Sequence, residues 1–241
     1  MIEEPPAQGS DAAAEARVST IKNARVVPKS MLDIVTFRVL SGVLLGASLL
    51  LFFLASRRPD EGRAPYVPAA IRKVPRALHG IWLLVSVLAP LATILIAVVA
   101  PQLIYGTSLN LSFPGDLALQ LAAFALFGVG GALLIWSDRH LGRYMVVDIA
   151  LARDHELITT GPYAYVRHPT YMAVLLLSSA TALFSLHLVV VANFFVVLTI
   201  ASWRSKFEEK LLASEQGFGS RYREYVRGTG RFLPRSFRGF E

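Results

Sequence analysis

The chain has 241 residues, 54% of them hydrophobic, with 17% charged residues and a mean hydropathy of +0.50; soluble domains carry roughly 25% charge. The apolar residues come in blocks, which excludes an ordinary soluble domain and points to an integral membrane protein. There is no cysteine, which excludes disulfides, a catalytic thiol and thiolate metal sites. The net charge of +7 needs no nucleic acid, because no basic-aromatic module for one is present and anionic lipid headgroups account for it.

Residues 1–30 are Ala-rich, acidic and polar, without a basic start followed by an apolar core. They read as a disordered tail and not as a signal peptide. Three transmembrane helices are expected within residues 31–136. Val39–Ala55 is the first, and can begin near Ile34 if Arg38 snorkels to the interface. Leu78–Ala100 is the second and Leu117–Trp136 the third, each uncharged and near the ~20 residues that cross a hydrocarbon core. Gly128, Gly130 and Gly131 in the third span suit close helix packing.

Residues 137–241 form a separate region. Tyr171–Trp203 contains no Asp, Glu, Lys or Arg over 33 residues, about 50 Å of helix, too long for one crossing of a ~30 Å core. A hairpin of two short helices fits, turning near Ser185-Leu186-His187, with His187 at the far membrane surface. Arg204 to Leu212 reads as a helix leaving the membrane, interrupted at Gly217 or Gly219. The fold expected is therefore all-α and integral to the membrane, with about five transmembrane helices and a further C-terminal helix.

Charge orients this arrangement. Segment Ser56–Ala77 carries six Lys or Arg, Pro101–Asp116 none, Ser137–Thr170 four and Arg204–Glu241 nine. Five spans put the three basic segments on one side, which the positive-inside rule makes cytoplasmic, with the N-terminus outside.

The chemistry-bearing residues gather on that side. Gly161-Pro-Tyr-Ala-Tyr-Val-Arg-His-Pro-Thr-Tyr171 sets three tyrosines and an Arg-His-Pro at the mouth of the fourth span. Pro169 keeps His168 out of the helical region and suits the first helical position. Taken locally, this could equally be an interfacial anchor cluster. Glu208 and Glu209 point about 100° apart on a helix, so they cannot serve one point as a paired acid and base. One can face a ligand and the other a Lys or Arg, or both can be solvated. His79 is expected at an interface, and His140 and His155 lack metal-ligand spacing, so no metal is assigned.

The run from Leu141-Gly142-Arg143 through His155-Glu-Leu-Ile-Thr-Thr-Gly161 to Tyr171, the Glu208-Glu209 pair and the closing Gly219-x-x-Tyr222-x-x-Tyr225 resemble the isoprenylcysteine carboxyl methyltransferase family. That family is itself similar to phospholipid methyltransferases. The resemblance covers about Trp136 to Pro234. It implies a membrane methyltransferase that uses S-adenosylmethionine. The cofactor contacts it implies are His155, Leu157, Gly161, Tyr163, Arg167, His168, Tyr171, Glu208 and Glu209. Arg167 and Arg204 are the candidates to orient an acceptor carboxylate, such as that of an isoprenylcysteine-like group on a lipid-like or prenylated acceptor. If the acceptor is an amine or thiol, as in a phospholipid methyltransferase, His168 or a glutamate becomes a candidate base. An NADPH-dependent sterol-type reductase is a further alternative, although those enzymes typically show Arg-His-x-Asn-Tyr where this chain has Arg167-His-Pro-Thr-Tyr171.

Overall fold

A computed structural model describes residues 32–56, 76–144 and 156–235. The N-terminal tail and His155 lie outside these residues. The described chain is helical. Helix α1 (Ile34–Ser56) opens one turn earlier than the core of its apolar run, because Asp33 caps it. The Asp33 carboxylate accepts the N–H groups of Val35 and Thr36, both at 3.0 Å.

The second span is not a continuous α-helix. Helix α2 (Arg76–Leu83) passes into a π-helical turn, Leu84–Leu88, and then into α3 (Ala89–Val99). Pro90 supplies the cause. Within the π turn, Ala89 N–H donates to Leu84 O, so it is not available to Val85. The next donor along would be residue 90, and proline has no N–H. Val85 O is instead satisfied by Asn193 Nδ2 at 3.0 Å, from a helix more than 100 positions further along the chain. In hydrocarbon an unmet carbonyl is strongly unfavourable, so this bond makes the π turn tenable.

Helix α4 (Asp116–Leu141) runs more than a turn past the expected end at Trp136 and stops at Gly142, whose φ of 54° requires the left-handed region. Helix α5 (Pro169–Ser185) and helix α6 (Leu188–Leu212) form the expected hairpin, turning at Leu186 and His187. Among the described residues, four stretches are long and apolar enough to cross a membrane: Ile34–Ala55, Leu78–Val99, Asp116–Tyr144 and Leu188–Leu212. The fifth, α5, is shorter, at 17 residues. A short α7 (Ser220–Gly228) follows a turn that includes Gly219 at φ 56°.

Two features fix how the helices stack. Gly130 lets α5 lie directly on α4: a Cβ there would come within 3.0 Å of Leu176 Cβ and 3.2 Å of the Ala173 carbonyl. Gly131 faces Leu51 of α1, whereas Gly128 faces nothing within 4 Å, so the packing role expected of all three holds for two. At the opposite end from the charged residues, Asn110 and His187 form an antiparallel bridge. Leu111 N–H donates to Leu186 O at 2.8 Å and Leu188 N–H to Leu109 O at 2.9 Å. The uncharged loop after the second span and the hairpin turn therefore share one end, as five crossings require. His187 is in this turn but buried, at 7% exposure. Beneath it Phe37 stacks on Tyr105 and Phe184 at 4.2 and 4.9 Å.

Candidate active site

The residues before α5 approach the end of α6 because a short parallel bridge joins Val166 to Gly230. Arg167 N–H donates to Gly230 O at 2.8 Å and His168 N–H to Arg231 O at 3.1 Å. His168 has φ −127° and ψ 63°, outside the helical region as Pro169 demands, and Pro169 opens α5. The strap after α7 thus lies alongside the Arg-His-Pro motif. Tyr225 of α7 fastens the same region, donating its hydroxyl to Tyr163 O at 2.5 Å.

Seven charged or polar side chains converge there. Arg167 Nε donates to Glu209 Oε1 at 3.0 Å, and its Nη1 reaches the carbonyls of Val226 and Thr229. Arg231 grips the same carboxylate with two nitrogens, at 3.0 and 2.5 Å. Glu209 is therefore the acidic centre that ties α6, the motif and the strap together.

Glu208 takes a different partner. Tyr171 donates its hydroxyl to Glu208 Oε1 and accepts from Arg204 Nε at 3.2 Å. Arg204 is 2% exposed, and its guanidinium lies 5.5 Å from the centre of the Trp82 ring. Trp82 in turn meets Tyr171 edge-on at 5.3 Å.

His168 sits between the two glutamates. Its Nδ1 is 3.3 Å from Glu208 and its Nε2 is 3.3 Å from Glu209. The 100° separation of neighbouring helical residues is bridged by opposite edges of one imidazole. Burial disfavours the charged ring, but hydrogen bonding to Glu208 and Glu209 and their negative charge outweigh it and raise its pKa. Nε2 nevertheless lacks hydrogen-bond alignment, and Tyr222 OH is likewise buried without a partner among the described residues.

Of the residues singled out from sequence, Arg167, His168, Tyr171, Arg204, Glu208 and Glu209 meet in this cluster. Tyr163 is buried beside it, its phenol pKa raised chiefly by burial. Gly161 adopts φ 58°, and a side chain there would strike the His140 ring. Leu157 lies in the extended segment leading to that turn and is half-buried. Sequence reading overlooked Trp82, Asn193 and the grip of Arg231. Pro90 inside an uncharged span and a lone amide at Asn193 were the available signals.

Residues 122–214 match the family model described as the isoprenylcysteine carboxyl methyltransferase (ICMT) family. A solved structure of the eukaryotic intramembrane Ras methyltransferase ICMT is similar at 21% identity and a TM-score of 0.46, over 80% of this chain and 75% of that one. A comparison with the curated proteins finds no match. The protein is a multi-pass membrane methyltransferase dependent on S-adenosylmethionine. Its similarity to the ICMT family lies in residues 122–214.

Proposed function

We propose that this enzyme methylates the carboxylate of an isoprenylcysteine-like, membrane-associated acceptor. The carrying observation is His168. Each of its ring nitrogens is 3.3 Å from a glutamate oxygen, so neither is disposed to take a proton from an acceptor. A carboxylate is already anionic at neutral pH and needs no base, whereas an amine or thiol must lose a proton.

S-adenosylmethionine supplies a methyl group already activated on a cationic sulfur. The buried Tyr222 OH, without a partner among the described residues, together with the Glu208 carboxylate, fits a ligand rich in amino and hydroxyl groups. In this reading His168, Tyr171, Glu208, Gly161, Tyr163 and Leu157 surround the cofactor, and His155, outside the described residues, is assigned to it by the resemblance alone. Arg167 holds Glu209 and the strap, and Glu209 serves the cofactor site through that hold. Arg204 orients the acceptor carboxylate for in-line transfer. The basic segments of the sequence support a site on the cytoplasmic face and an outward N-terminus.

The test is the chemistry of the product. Purified enzyme with methyl-labelled S-adenosylmethionine and N-acetyl-S-farnesylcysteine is expected to give a base-labile ester that releases labelled methanol. Base-stable label on phosphatidylethanolamine, with none on the prenylcysteine, would transfer the reading to amine methylation.

A further inference from the structure

We infer that Trp82 is a positioning residue of the acceptor site, and that Asn193 holds it in place through the Val85 carbonyl. This rests on the assignment of Arg204 to the acceptor carboxylate.

The register of the second span decides where Trp82 points. A π turn inserts one residue into a helix, so regularising Leu84–Leu88 would rotate α2 by about 100° relative to α3. That rotation would carry Trp82 off Tyr171 and Arg204. The π turn survives because Asn193 Nδ2 donates to Val85 O, a carbonyl that the π turn and Pro90 together leave without a backbone donor, at 3.0 Å. A single amide in the second turn of α6 thereby sets the rotation of the segment that carries Trp82.

The same stripe of α6 receives the tryptophan. Asn193, Val197, Ala201, Arg204 and Glu208 recur at helical spacing along one face. Val197 and Ala201 are fully buried and pack with Trp82 and Tyr171. Their small side chains admit the indole. The centre of its ring then lies 5.5 Å from the guanidinium carbon of Arg204, and 5.3 Å from the centre of the Tyr171 ring, which stands perpendicular to it. Arginine has many rotamers, and an aromatic face is a planar rest for a planar cation. Trp82 narrows Arg204 to one orientation before an acceptor arrives, and that preorganisation is read out in acceptor affinity.

The experiment uses the full chain in detergent. A Trp136→Phe/Trp203→Phe background leaves Trp82 as the sole reporter of the three tryptophans. Asn193→Leu is expected to shift Trp82 emission. In the otherwise unaltered chain, Asn193→Leu and Trp82→Ala are expected to raise KM for N-acetyl-S-farnesylcysteine about tenfold, with kcat and cofactor affinity within about twofold. Trp82→Phe retains a weaker aromatic face and is expected to fall between. Unchanged Trp82 emission in Asn193→Leu overturns the inference, as does a parallel loss of cofactor binding and acceptor KM. If the parent enzyme leaves the prenylcysteine unmethylated, the acceptor assignment fails. The emission comparison needs no substrate and still decides whether Asn193 seats Trp82.

Discussion

Arg167 and Glu209 stand 42 positions apart in the chain, yet Arg167 Nε lies 3.0 Å from Glu209 Oε1. Both side chains are largely shielded, at 9% and 15% exposure. The pair joins the approach to α5 with the end of α6, and the other arm of Arg167 reaches carbonyls at the end of α7 and in the strap.

Removing one partner of this pair leaves the other charge shielded from water. Glu209→Gln is expected to destabilise the protein by about 2–3 kcal/mol, below the cost for a fully buried pair. Arg231→Ala is expected to cost less than about 1 kcal/mol, since that side chain is one-third exposed. Thermal unfolding in detergent checks both. Limited proteolysis should cut the segment after Ala213 faster in Glu209→Gln.

Tyr171→Phe removes one hydroxyl that both donates to Glu208 and accepts from Arg204. Cofactor dissociation is expected to rise about tenfold. Calorimetric titration with S-adenosylmethionine measures it. An unchanged affinity would separate Glu208 from the cofactor.

The His168 pKa is raised above its ordinary 6.5 in the folded protein. The unfolded chain therefore holds this proton less tightly. The stabilisation is complete below pH 6.5 and is lost as pH rises through the folded value. Tm is expected to fall over that alkaline interval, and His168→Gln should remove this component of the slope.

Gly130→Ala is expected to destabilise by about 1–3 kcal/mol, because the added Cβ meets a side chain and a backbone carbonyl that cannot readily withdraw. Gly128→Ala, with open space around it, is expected to be neutral. Paired unfolding measurements test the contrast.

Sequence made the crossings legible where charge was absent, and it located the hairpin turn at Ser185-Leu186-His187 because 33 apolar residues cannot be one span. It also gathered the chemistry, since Arg167, His168, Tyr171, Glu208 and Glu209 sit in short motifs. Rotation about each helix axis was not legible. Gly128 and Gly130 look alike in sequence, but only the latter faces α5. Asp138 and Ser137 resemble the start of a loop, yet both are buried in the last turns of α4. Trp82 was hidden for the same reason: its direction depends on a π turn set by Pro90 and by an amide more than 100 residues away.

The brevity of α5 has a consequence for the depth of the reacting centre. Seventeen residues make about 25 Å of helix, against a typical hydrocarbon thickness of ~30 Å. Its two ends are fixed, by the turn at His187 on one side and the Arg-His-Pro motif on the other. No residue of α5 is exposed, so the longer helices around it, and not lipid, meet its sides. Enclosed in this way, a short helix holds the Arg-His-Pro motif nearer the bilayer midplane than the ends of its longer neighbours, and the backbone at that depth is tolerated because protein surrounds it.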